Sequence, residues 1–161
     1  MKYRRFFTLL VILAALCGCA HYEKPHPAAE FPSHAIMYDL HFAWETIPAA
    51  DSVTVRGELK NARYDMMDNV ELDLSLLDQT GNELEKQVFF PVPGQMIKDD
   101  YRSFLITFHH ASPPGGTIQF LYRYRGIEAG GQGTAWMNSF QANAATGAVL
   151  RKPNEEPPTK F

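Results

Sequence analysis

Adjacent imidazoles are the groups best suited by type to hold a metal ion or move a proton, and this sequence carries one such pair, His109-His110. The pair closes an alternating run, Arg102 to His109, and neighbours on a strand point to opposite faces. Without a bulge the two rings cannot converge, so the expectation is a structural role at a strand end. His21, His26 and His34 stand in a Pro- and Ala-rich stretch and read as solvated linker residues. Asp65, Asp68 and Asn69 make an oxygen-rich segment that lacks the spacing and closing Glu of an EF-hand, which leaves a turn and strand-entry role. Ser103, Ser112 and Ser139 have no Gly-x-Ser-x-Gly setting, and Gly130-Gly-Gln-Gly133 precedes no helix that would cradle phosphate. Arg123 and Arg125 alternate with Tyr122 and Tyr124. They read either as a stacked ligand face or as a strand with tyrosines inward and arginines outward. No catalytic residue, metal-ligand set or cofactor is assigned.

The elements that must position these groups show period two, the alternation of a strand with one buried and one wet face. Ile36, Tyr38, Leu40, Phe42 and Trp44 form the first apolar set, and Val53, Val55, Gly57 and Leu59 the second. Val70, Leu72, Leu74 and Leu76 follow, and the turn signal Asp78-Gln-Thr-Gly81-Asn82 joins them to a run from Glu83 to Phe90 as a hairpin. Further runs cover 102–109, 117–125 and 133–142. Seven strands without a helical period predict an all-β, antiparallel, seven-stranded β-sandwich over 36–142, immunoglobulin-like, with a small barrel as the alternative. Residues 19–35 read as a flexible tether with a reach on the order of 50 Å, and 143–161 as a C-terminal tail.

If successive strands alternate in direction, the connections 61–69, 91–101 and 126–132 gather at one end of the sandwich and the shorter ones at the other. The long-loop end carries Tyr64, Met66, Met67, Met96 and Tyr101, adaptable apolar groups that make it the candidate partner-binding surface. The tether is expected to enter the first strand at this same end.

The chain opens with Met1-Lys-Tyr-Arg-Arg5, continues without a charge from Phe6 to Leu16, and reaches small residues, the order of a signal peptide over 1–18. So short an apolar run falls below the roughly 20 residues that a membrane core demands of a helix. The segment Leu16-Cys17-Gly18-Cys19 resembles the lipobox of bacterial lipoproteins, in which an aliphatic residue and small residues precede the lipidated cysteine. The resemblance implies that Cys19 is acylated and that lipid holds the mature chain to a membrane. Because Ala20 rather than Asp follows, it implies the outer membrane. Cleavage after Ala20, yielding a soluble exported protein, is the competing reading.

Cys17 and Cys19 are the two cysteines of the chain, so cleavage between them leaves the folded region without a disulfide or a cysteine metal site. Loss of Lys2, Arg4 and Arg5 takes the net charge from −3 to −6. An acidic chain gains little from counterion release and is repelled by anionic lipid, which disfavours nucleic acid as a partner and leaves lipid as the means of attachment.

The pattern Val55-Arg-Gly57-Glu-Leu-Lys-Asn61, followed by Val70-Glu-Leu-Asp-Leu-Ser-Leu-Leu-Asp78 and Gly81, resembles the immunoglobulin-like FxLYD family of bacterial domains. Leu74 and Leu76-Leu77-Asp78 stand where that family carries its Phe and Tyr. The resemblance implies an accessory or interaction domain of the cell envelope, with no catalytic residues to transfer. The expectation is a lipid-anchored, non-enzymatic binding or assembly module with an envelope protein partner. An enzyme with a loop-built site and a structural subunit pairing through a strand edge are the alternatives.

Overall fold

The computed structural model describes residues 30–151. The expected signal peptide, Cys19 and the expected tether up to residue 29 lie outside the described residues, as does the expected tail from residue 152. Among the described residues no helix is long and apolar enough to cross a membrane.

Ten strands build two antiparallel sheets: β1 (Ser33–Ile36), β2 (Leu40–Pro48), β3 (Val53–Asn61), β4 (Met66–Leu77), β5 (Glu83–Phe89), β6 (Met96–Ile97), β7 (Tyr101–Phe108), β8 (Thr117–Ile127), β9 (Thr134–Asn143) and β10 (Val149–Arg151). One sheet runs β1-β2-β3-β7 and the other β10-β9-β8-β4-β5, with β6 on β4. The chain crosses between sheets after β3, after β6 and after β7, while the hairpins β2–β3, β4–β5 and β8–β9 stay paired within their own sheets, the mix of hairpins and crossovers of an immunoglobulin-like sandwich. All seven expected strands are present.

The alternation that marks these strands is the packing of their inner faces. Phe42 and Trp44 of β2 meet Phe120 of β8 and Phe140 of β9, with Phe120 and Phe140 stacked at 4.5 Å and Trp44 5.1 Å from Phe120. Leu72, Leu74 and Leu76 of β4 are fully buried beside them. Each large apolar side chain removed from water contributes roughly 2 kcal/mol, so this layer accounts for much of the fold. Gly57 belongs to the same layer for a steric reason: a Cβ there would lie 2.7 Å from both Phe104 and Trp44. The expected hairpin turn forms around Asp78, whose Oδ1 accepts the backbone N–H groups of Thr80 and Asn82 at 2.8 and 2.9 Å, while Gly81 takes the left-handed φ of 87°.

Three short strands extend the expected set. β1 folds back on β2 through a reverse turn in which Met37 N–H donates to the Leu40 carbonyl at 3.1 Å. The run from Ile36 to Trp44 is therefore two strands, not one, and its phase changes at the turn. Ala35 and Met37 are buried while Ile36 and Tyr38 are 68% and 79% exposed, against the expectation that these two face inward. β10 pairs with β9, so the folded unit runs from Ser33 to Arg151 and takes in parts of the expected tether and tail. β4 begins at Met66 rather than Val70, and its extra residues pair on both sides, with β6 and with β8. A bulge between Asp68 and Glu71 separates this extension from the rest of the strand, and Asn69 there adopts a φ of 52°, which Asn tolerates better than most residues.

Candidate functional site

At the long-loop end the floor is built from buried polar groups. Asn61, the last residue of β3, is fully buried. Its amide nitrogen donates to the carbonyls of Tyr64 and Met96 at 2.7 and 3.0 Å, and its oxygen accepts the backbone N–H groups of Arg63 and Tyr64. One side chain thus ties the β3–β4 connection to β6. Asp39, in the β1–β2 turn, is the second anchor. Its carboxylate accepts the Leu40 N–H at 2.9 Å and the hydroxyls of Tyr122 and Tyr124, one on each oxygen. Burial first, then the Asp39 charge and its hydrogen bond, push the Tyr122 hydroxyl well above the ordinary tyrosine range; burial and the Asp39 bond do the same for Tyr124. Both hydroxyls therefore stay protonated donors. Tyr64 packs 5.7 Å from Tyr124 in the same cluster.

The residues expected to form the binding surface are largely part of this floor. Tyr64, Met67 and Met96 are buried, and Met66 and Tyr101 are half-buried. Met66, Met67 and Met96 lie in strands rather than in loops, so they brace the end and do not offer an exposed apolar contact. The exposed groups stand above them. Arg63 lies over the ring of Tyr38 at 4.2 Å and over Tyr64 at 5.2 Å, and pairs with Glu128 at 3.1 Å. Its Nε is out of solvent and has no acceptor among the described residues. Trp136 follows in β9, beside Tyr124 in register, and is 47% exposed. A cavity of about 270 Å³ opens between them, lined by Arg63, Tyr64, Glu128, Gln132, Thr134 and Trp136. The tip of its β8–β9 wall is a turn closed by Gly131 N–H on the Glu128 carbonyl at 2.9 Å, with Gly130 at a φ of 74° that favours glycine.

Arg63, Glu128 and Trp136 carried no motif in the sequence. Their only signal was position, in two of the three long connections or just after one, and for Trp136 a large apolar ring that is more often covered than exposed.

The other groups singled out from the sequence fall elsewhere. β7 ends at Phe108, so His109 and His110 leave the strand and, contrary to the expectation of opposite faces, both turn toward Glu85 of β5. Their Nδ1 atoms lie 3.4 and 3.0 Å from its two oxygens, and the His109 N–H donates to it at 2.7 Å. Burial, the largest single influence on this carboxyl, works to raise it; hydrogen bonds from His110, Gln87 and His109 outweigh that and bring it down to about 2. Among the described residues no set of three or more His, Cys, Asp or Glu side chains is arranged to hold a metal ion.

Tyr122 and Tyr124 point inward, while Arg123 points outward to Glu71 and Asp73 at 3.1 and 2.8 Å. Arg125 donates to the Gly133 carbonyl at 3.3 Å. The arginines and tyrosines therefore share no ligand face. Asp68 and Asn69 sit at the β4 bulge. Another cavity, of about 220 Å³, lies on the outer face of the four-stranded sheet, bordered by His34, His41, Glu58, Lys60 and Tyr101. Lys60 there is engaged by Asp99 at 2.6 Å, and burial followed by the Lys60 charge lowers the pKa of His41.

No protein-family profile matches the chain, and no curated protein does. Among solved structures it is similar to a putative β-galactosidase from Bacteroides fragilis, with a TM-score of 0.35 and 15% identity over 64% of this chain and 18% of that one. It is also similar to Bacteroides uniformis β-glucuronidase 2 covalently bound to cyclophellitol-6-carboxylate aziridine, with a TM-score of 0.35 and 12% identity over 67% and 14%. The chain spans less than a fifth of the length of either.

Proposed function

We propose that this chain is exported, acylated at Cys19, and serves as a lipid-anchored, non-enzymatic module that binds another component of a bacterial envelope through its long-loop end. The sequence from Met1 to Cys19 supplies the address. The observation that carries the binding role is the exposure of Tyr38 and Trp136 on either side of the Arg63–Glu128 pair, on a floor rigidified by Asn61 and Asp39. Aromatic and Arg side chains held in fixed positions are the groups that most often dominate interface affinity.

The direction of the chain supports this use. β1 starts at Ser33, level with Trp44 in mid-sheet, and runs toward Tyr38, while Phe31 borders Arg56 and Leu105, farther from the long-loop end. The described chain therefore enters β1 from the side away from the long-loop end, and not at that end as the sequence suggested. Its position after the lipobox makes Ala20 the basis for placing the protein in the outer membrane.

Two measurements test the reading. Cys19→Ala is expected to move the protein out of the membrane fraction at high salt, and retention there would remove lipid as the anchor. Capture of envelope proteins from detergent-solubilised membranes is expected to fall in the Tyr38→Ala, Trp136→Ala double variant. Undiminished capture by a folded double variant would remove the long-loop end as the surface.

A further inference from the structure

We infer that the cavity beside Trp136 is a binding site for an uncharged saccharide unit. The inference rests on the reading of the long-loop end as the binding surface and assigns its ligand chemistry. A sugar ring has one face of C–H groups and a rim of hydroxyls that both donate and accept. A matching site needs an exposed aromatic plane, and at its edge planar groups that offer donors and acceptors together.

The cavity meets each requirement with a named residue. Trp136 stacks on no other ring among the described residues, and its half-exposed indole forms one wall. The lining also holds Arg63, a fork of donors, and Glu128, an acceptor, held to one another at 3.1 Å, together with Gln132 and Thr134, an amide and a hydroxyl. The guanidinium lies over the rings of Tyr38 and Tyr64 at 4.2 and 5.2 Å, and its Nε lacks an acceptor among the described residues. The site is therefore ordered before a ligand arrives, which lowers the entropy lost on binding.

Electrostatics selects the uncharged class. Arg63 and Glu128 both line the cavity and pair at 3.1 Å, so an anionic group would meet a carboxylate as well as the guanidinium, and a cationic one the reverse. The volume of about 270 Å³ accepts one ring with part of its neighbour, which suits a residue within an oligosaccharide chain. At the floor Gly126 lies against the Tyr64 ring, with no room for a Cβ, so this depth depends on glycine.

The test uses the full chain, purified in a detergent with a zwitterionic headgroup, and two neutral probes: a trisaccharide of glucose and one of N-acetylglucosamine. Backbone amide shifts are followed by nuclear magnetic resonance as each probe is added. Saturable shifts at Gln132, Thr134 and Trp136 are expected with at least one probe. Trp136→Ala is expected to weaken that binding about tenfold, and Glu128→Gln to weaken it less, because the amide oxygen still accepts. Absence of saturable shifts with both probes overturns the assignment, as does binding that a folded Trp136→Ala variant retains in full. If the trisaccharides do not bind while the Tyr38→Ala, Trp136→Ala variant still loses its envelope proteins, the saccharide assignment fails and the binding role of the end stands.

Discussion

Asp39 shows how much of this protein rests on single polar groups away from water. Its carboxylate accepts two tyrosine hydroxyls and a backbone N–H, and so joins the β1–β2 turn of one sheet to β8 of the other. Replacing Tyr124 by Phe keeps the ring but leaves a carboxylate oxygen without its donor, and the expected loss of unfolding free energy is about 1–3 kcal/mol, read from denaturant melts. The same pair sets an alkaline limit. Both hydroxyls have their pKa raised by folding, so the stability they contribute is complete below the ordinary tyrosine value of about 10 and is lost as the pH climbs past it. Melting temperature measured from pH 8 upward is expected to fall beyond pH 10 more steeply in the parent than in the Tyr122→Phe, Tyr124→Phe variant. Equal slopes would separate these hydroxyls from the alkaline transition.

Strands in this chain are defined by what covers them, and β4 is the clearest instance. Its centre alternates apolar and polar residues in sequence, yet from Leu72 to Leu77 both faces are buried, Asp73 and Ser75 included, between β5 and β8; its first residues, flanked by β6 and β8, lie beyond the alternating run. Met67 is fully buried there and Met66 is not. Substitution by Ser should therefore separate the two: Met67→Ser is expected to cost about 2–5 kcal/mol, as for a large core side chain truncated, and Met66→Ser well under half of that. Thermal melts of both single variants decide it, and equal losses would place Met66 in the core as well. β1 and β10 make the complementary point, since strands of three or four residues hold too few alternations to announce themselves, yet Ala35 is fully buried once its neighbours are in place.

The described residues form a sandwich whose buried inner layer reaches the long-loop end at Tyr64, Met67 and Met96 but leaves Trp136 of β9 half-exposed. The two tryptophans mark the two regions. Trp44 is fully enclosed by Phe120 and Phe140, and its truncation to Ala is expected to cost about 3–5 kcal/mol, enough to threaten a domain of ordinary stability. Trp136 pairs in register with Tyr124 but is 47% exposed, so Trp136→Ala is expected to shift the melting curve far less. The reverse order would close the cavity proposed here. The sequence by itself determined the all-β class, the seven main strands, the Asp78 turn and most of the inner faces, because period-two burial and turn chemistry are local properties of a chain. It also carried the expectation of export and acylation, which lies in residues outside the folded unit. Only the tertiary structure decided the phase change at Asp39, the enclosure of Met67 and Met96, the meeting of His109 and His110 at Glu85, and the exposure of Trp136. Each of these depends on which distant strand covers a given position, and nothing in the neighbouring sequence records that.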